Sequence, residues 1–196
     1  MALVRYYAAQ TLDGYIAESD DTLDWLLKYE GHYDDADSDA DQAGYDAFYE
    51  GVGALVSGSV TYEFVLDHLS EWPYAGKPYW VLTSRELAKP EGEGVDVRIV
   101  SGEVPDLVDE MLDSAGDRDL WIVGGGNVAS QFADHGLIDT VEATVVPVVL
   151  GEGKPLFDRR LSGAPMQLRS VTTHSSGMVG LTYEVKRPAD RESARD

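Results

Sequence analysis

The chain has 196 residues and a formal net charge of −21, from 36 acidic against 15 basic side chains. Such a surface repels nucleic acid and anionic membranes, which excludes both as partners. Hydrophobic content of 43% and charged content of 26% fit one soluble globular domain, and the absence of cysteine excludes disulfides, thiolate catalysis and Cys-ligated zinc.

The N-terminus passes directly into a strand pattern, with no signal-peptide layout. No apolar run approaches the roughly 20 residues that span a bilayer, so a cytoplasmic location is expected. Leu3 to Ala9 reads as a buried central strand, followed by a turn with Asp13-Gly14 at its tip and extended Tyr15-Ile16-Ala17. An acidic segment then closes on Trp25-Leu26-Leu27, and His32 to Asp41 reads as a solvated loop. The next helix runs to Tyr49, with Tyr45, Phe48 and Tyr49 as its apolar face and Asp39 or Asp41 as its cap.

Val52 to Ser57 is the second strand, and Val60 to Leu66 a short helix capped by Ser59. Tyr79 to Leu82 and Val95 to Val100 are further strands, and Val104 to Leu112 is a helix with apolar residues at helical spacing. Leu120 to Val123 is a strand that runs into Gly124-Gly125-Gly126 and a helix closed by Gly136. The last third is β-rich, with Pro147 marking a bulge or edge and a hairpin turn at 175–178. The pattern predicts an α/β domain over residues 1–187, its sheet mostly parallel and finished by an antiparallel hairpin. Residues 188–196 read as a charged, disordered tail.

Ligands in open α/β sheets bind beyond the carboxyl ends of the parallel strands. Three such ends share one chemistry: Gly58-Ser59-Val60-Thr61, Leu82-Thr83-Ser84-Arg85, and Gly124-Gly125-Gly126-Asn127 leading into Val128-Ala129. Each places small or hydroxyl residues and free N–H groups at a helix start or loop, as a dinucleotide's phosphates and sugars require. A tight structural turn is the competing explanation for the glycines. Gly124-x-Gly126-x-x-Ala129 formally fits the Rossmann fingerprint, yet four strands precede it and no acidic residue stands at 144 or 145. The Rossmann fold is rejected.

Several segments in order carry a family pattern: Ala8 to Ala17, Ser57 to Glu63, Val81 to Ser84, Ile122 to Gly126, Leu137-Ile138-Asp139, and above all Pro147-Val148-Val149-Leu150-Gly151-Glu152-Gly153-Lys154-Pro155-Leu156-Phe157. Together they resemble the dihydrofolate-reductase-like family that includes the C-terminal reductase domain of riboflavin biosynthesis (RibD). The resemblance covers residues 3 to about 185. It implies a three-layer α/β/α fold and an oxidoreductase that uses NADPH, or NADH, on a small-molecule substrate without metal or flavin. By motif position Ala9, Trp25, Thr61, Ser84 and Gly124 to Ala129 would line the cofactor groove. The glycine turn would hold the pyrophosphate, Thr83-Ser84-Arg85 would sit by the adenosine, and the nicotinamide would lie near Ala9 and Ile16. Relatives often pair through the terminal β region, so a homodimer is expected on analogy.

The departures shape the substrate expectation. Ser59 stands where many relatives carry an arginine for the 2′-phosphate, leaving Arg85 to take its place or the NADPH preference open. Val123 replaces an acidic substrate contact, and the helix from Asp41 to Tyr49 lacks arginines for a ribose phosphate. The substrate pocket is therefore assigned to Trp25, Asp41, Tyr45 and Val123, and to a small heterocycle or carbonyl compound other than the phosphorylated pyrimidine. Asp41 lies near the helical carboxylate that assists protonation in dihydrofolate reductases and is the candidate acid, with helix capping as its other explanation. A nucleotide-binding or regulatory protein that has lost the chemistry is the rival reading. The four histidines are scattered without metal spacing.

Overall fold

Apolar residues alternate along the central strands and load both faces of one sheet. A computed structural model describes residues 2–29, 45–68, 71–161, 166–174 and 176–186; Asp41, its loop and the 188–196 tail lie outside them. In β1 (Val4–Thr11), β3 (Val52–Gly58) and β6 (Asp119–Gly124), Val4, Tyr6, Ala54, Val56, Leu120 and Ile122 enter one core. Val52, Leu55 and Trp121 enter the other. Period two places neighbours on opposite faces, so two buried faces give the near-continuous apolar runs read in the sequence.

Helices cover both faces. On the first, α4 (Val104–Ala115) and α5 (Gly126–Asp134) bury Val108, Met111, Val128 and Phe132. On the second, α2 (residues 45–50) and α3 (Ser59–His68) bury Phe48, Tyr62 and Val65. The architecture is the three-layer α/β/α one. α3 begins at Ser59 itself, directly after Gly58, so Ser59 is its first residue and not the cap the sequence suggested.

The main sheet has the order β5-β4-β3-β6-β1-β7-β10-β9, with β4 (Pro78–Leu82), β5 (Asp96–Val100), β7 (Thr140–Val146), β9 (Gln167–Thr173) and β10 (Val179–Glu184) completing it. All pairings from β5 to β7 are parallel, and β7-β10-β9 is antiparallel, as the change of pattern in the last third predicts. β7 stops at Val146, one residue before Pro147, which has no N–H for a ladder. The short β2 (Tyr15–Ala17) pairs with β8 (Lys154–Pro155) in a separate two-stranded sheet that the sequence did not indicate. Arg5 ties the strand starts together, with two bonds to Glu142 at 2.7 and 2.8 Å and a third to Asp119 at 3.3 Å. Among the described residues no helix is long and apolar enough to cross a membrane.

Candidate active site

The cleft opens where β1, β3 and β6 end, at the carboxyl edge of the parallel strands. β6 terminates at Gly124, whose φ of 157° belongs to glycine, and the Gly124–Gly125 peptide is cis. The three glycines meet different neighbours. A Cβ on Gly124 would stand 3.2 Å from Thr61 Oγ1, and one on Gly126 would stand 2.3 Å from the Pro155 carbonyl oxygen. A Cβ on Gly125 would meet nothing nearer than Thr61 Oγ1 at 3.8 Å and Ile16 Cδ1 at 4.0 Å. Gly124 and Gly126 answer to the protein's own packing, whereas a side chain at Gly125 would extend into the cleft.

Two helix N-termini converge there. α5 starts behind Gly125 with no side-chain cap, which leaves the N–H groups of its first turn unclaimed by any cap. α3 starts behind Gly58, and a Cβ on Gly58 would lie 3.3 Å from Val128 Cγ2, so the two helix starts are nearly in contact. Both starts carry partial positive charge.

The cleft encloses about 640 Å³. Of the residues that the sequence proposed for cofactor, Ala9, Ile16, Gly58, Ser59, Val60, Thr61, Leu82, Gly124, Gly125, Gly126, Asn127 and Val128 line it, and so does Val123. Trp25 does not; it is 6% exposed and packs with Val146 and Met178. Ala129 is wholly buried in the core beneath α5, because its position on the helix faces the sheet. Thr83, Ser84 and Arg85 lie outside the lining, and both guanidinium arms of Arg85 go to the Glu63 carboxylate, each at 2.7 Å. Tyr45 lies behind the cleft wall, edge-on to Trp121 at 6.3 Å, and burial pushes its phenol up to about 12.

Sequence reasoning placed Trp121 near the groove but missed the tyrosines beside it and the acidic mouth. Tyr7, Tyr74 and Trp121 form the floor, and Trp121 makes edge-to-face contacts with Tyr7, Phe48, Tyr49 and Tyr74 at 5.2 to 6.4 Å. Its indole N–H donates to the Tyr7 carbonyl at 3.1 Å. At the mouth stand Asp21, Lys154 and Asp158, with Lys154 and Asp21 paired at 3.4 Å. Asp158 accepts from Arg159 at 2.7 Å and from the Asn127 amide at 2.6 Å, and its N–H donates to Ser130 Oγ at 3.1 Å. The Arg159 bond, with those of Asn127 and Ser130, holds the Asp158 carboxyl down at about 2. Asp158 therefore stays ionised and has no proton to give. Lys154 and Pro155 stand inside the specific motif; only their partnership with β2, which no local pattern encodes, brings them to the cleft.

Among the described residues no group of His, Asp or Glu side chains could hold a metal ion. The chemistry available is a largely apolar cleft with an acidic mouth, oriented N–H groups and a floor of edge-to-face rings. It can bind a phosphate-containing cofactor end-on and shelter a planar group from water.

A family model for the RibD C-terminal domain matches residues 2–180. The uncharacterized protein YwjB of Bacillus subtilis (strain 168) is 31% identical, over 84% of this chain and 88% of its own length. The riboflavin biosynthesis protein RibD of Corynebacterium ammoniagenes is 30% identical over 74% of this chain, which spans 43% of that protein. A solved structure named for riboflavin biosynthesis, from Shewanella sp. PV-4, superposes with a TM-score of 0.77 at 32% identity, covering 95% of this chain and all of that one. In fold alone, the dihydrofolate reductase of Enterococcus faecalis, solved with NADP(H), is similar at a TM-score of 0.51 and 20% identity, covering 94% of this chain and 96% of that one.

Proposed function

The chain belongs to the RibD C-terminal domain family, and we propose that it is an oxidoreductase that takes hydride from NADPH or NADH and reduces a small heterocyclic or carbonyl substrate. One observation carries this reading: α5 starts without a side-chain cap behind Gly125, where a Cβ would fill the space beside Thr61 and Ile16. A pyrophosphate fits such a cradle, because backbone N–H groups can approach it without a side chain between them.

A reduced nicotinamide dinucleotide supplies the hydride when bound. The protein's part is to hold and to exclude. The first turns of α5 and α3 would bind phosphate and ribose oxygens, with Thr61 Oγ1 beside them. Ala9 and Ile16 would flank the nicotinamide, and Ala9 has a side chain small enough to leave room for the ring. Tyr7, Val123 and Trp121 form an apolar wall that keeps water from the reacting face. Asp41 is the proposed acid. Lys154 is the one cation among the described lining residues and is bound to Asp21, which favours a substrate without a phosphate group.

A second reading, a nucleotide-binding protein without turnover, draws on the mouth carboxylates. Asp158 is held ionised, so it does not serve as a proton donor. Titrating the protein with each nucleotide by tryptophan fluorescence, then following cofactor oxidation with a panel of pterins, pyrimidines and carbonyl compounds, separates the two. Binding with turnover supports the reductase, and binding without turnover of any panel member supports the second reading. No binding of either nucleotide at millimolar concentration sinks both.

A further inference from the structure

Arg85 was the residue the sequence offered for a 2′-phosphate, with the NADPH preference open otherwise, and the structure gives it another partner. Arg85 follows Leu82, a lining residue at the end of β4, by three positions. Glu63 follows Ser59, also lining, by one turn of α3, between lining residues Val60 and Phe64. Arg85 Nη1 donates to Glu63 Oε2 and Nη2 to Glu63 Oε1, both at 2.7 Å. This two-point bond uses the same fork of donors that would grip a phosphate. The pair is neutral as a unit. The cleft offers no substitute, since Lys154 is tied to Asp21 at 3.4 Å and no other cation lines it among the described residues.

A 2′-phosphate brings about two further negative charges at neutral pH, into a protein whose formal charge is already −21. To gain Arg85 it must displace a carboxylate from an ideal geometry and then lie beside it. A ribose 2′-hydroxyl has no such cost, and a carboxylate near it can accept its hydrogen bond.

We propose that Glu63 sets the cofactor preference of this cleft: by occupying Arg85 it withholds the cation that a 2′-phosphate needs, so the protein binds NADH at least as tightly as NADPH. The inference rests on the proposed function. It assigns to Glu63 a role in specificity, with no part in hydride transfer.

The test is a set of dissociation constants for NADH and NADPH, read by fluorescence, in the wild type and in Glu63→Gln, Arg85→Ala and the double variant. The expected wild-type constants favour NADH or are equal. Glu63→Gln should tighten NADPH about tenfold, the scale of one charge-assisted bond to phosphate, and change NADH less than about threefold. The double variant should lose that gain, and Arg85→Ala alone should move the ratio further towards NADH, because it leaves the Glu63 carboxylate unneutralised. In the wild type, added salt should weaken NADPH binding no more than NADH binding, because no arginine is recruited by the 2′-phosphate and salt screens its repulsion from the acidic protein. A wild-type preference for NADPH of tenfold or more that Arg85→Ala abolishes overturns the inference, as does a steeper loss of NADPH binding with added salt. An unchanged ratio in folded Glu63→Gln overturns it too. All three failures leave the proposed function intact, whereas absence of binding by both nucleotides removes the two together.

Discussion

The carbonyl oxygen of Pro155 stands where a side chain on residue 126 would have to be, 2.3 Å from the position of a Cβ on Gly126. The contact joins the β2–β8 sheet to the start of α5, so one glycine couples that helix to the strand that carries Lys154. Backbone cannot yield as a flexible side chain can. Gly126→Ala should therefore destabilise the protein by about 3 kcal/mol, at the upper end of overpacking costs, as read from urea unfolding.

Gly125→Ala is the complementary case. Its φ of −88° suits alanine and its Cβ would meet nothing nearer than 3.8 Å, so stability should stay within about 0.5 kcal/mol. Nucleotide binding should weaken about tenfold or more, because the added methyl lies in the pyrophosphate cradle. Equal binding by this variant and the wild type would remove Gly125 from the proposed site.

Trp121 is 5% exposed and surrounded by rings, and its N–H satisfies the Tyr7 carbonyl. Trp121→Phe should cost about 1–3 kcal/mol, from the smaller ring and from the unpaired carbonyl. It should also remove much of the fluorescence change that the proposed nucleotide binding is expected to produce. A variant as stable as the wild type would show that Tyr7 finds another donor.

Acid stability should respond to Asp158. Its folded carboxyl is held at about 2, against 3.8 for the ordinary group, chiefly by Arg159. A depressed folded value contributes stability that is present above 3.8 and lost as the pH falls towards about 2. Because the side chain is partly exposed, the contribution should stay below about 1 kcal/mol. Unfolding midpoints measured between these pH values should fall less steeply for Asp158→Asn than for the wild type.

At the alkaline end, burial raises the phenols of Tyr6, Tyr74 and Tyr79 above 10.0. Raised folded values give stability that is complete below about pH 10 and lost as the pH climbs through them. Lys77 pulls the other way, since burial lowers its folded value and its contribution grows as the pH approaches 10.5. Three tyrosines should outweigh one lysine. Ultraviolet titration should show these phenols ionising together with unfolding; independent ionisation in the folded protein would contradict their burial.

Local sequence determined a great deal here. The apolar runs at β1, β3 and β6, the helical spacing of Val104, Val108 and Met111, the three glycines, and the change to antiparallel strands after Pro147 are all short-range patterns, and each element formed where its pattern stood. Such patterns encode what a residue does with neighbours a few positions away, which suffices for element type and for a mostly parallel sheet, while the strand order came from the fold. The chemistry at the strand ends was legible for the same reason: strand direction alone brings Gly58, Leu82 and Gly124 to one edge.

Tertiary structure decided which of these residues face the cleft and what they touch. Trp25 turned into a small core, Ala129 into the sheet, and Arg85 to Glu63, because each outcome depends on a partner 22 or more positions away. Tyr74 and Lys154 reached the cleft through packing with Trp121 and pairing with β2, contacts that span 47 and 137 positions in the chain. The glycine turn shows the division most clearly. The sequence indicated a close approach of backbone to something; only the folded chain decided that Gly126 answers to Pro155 and Gly124 to Thr61, which leaves Gly125 open to the cleft. Non-local contacts are fixed by the joint packing of two faces, and no window of sequence contains both partners.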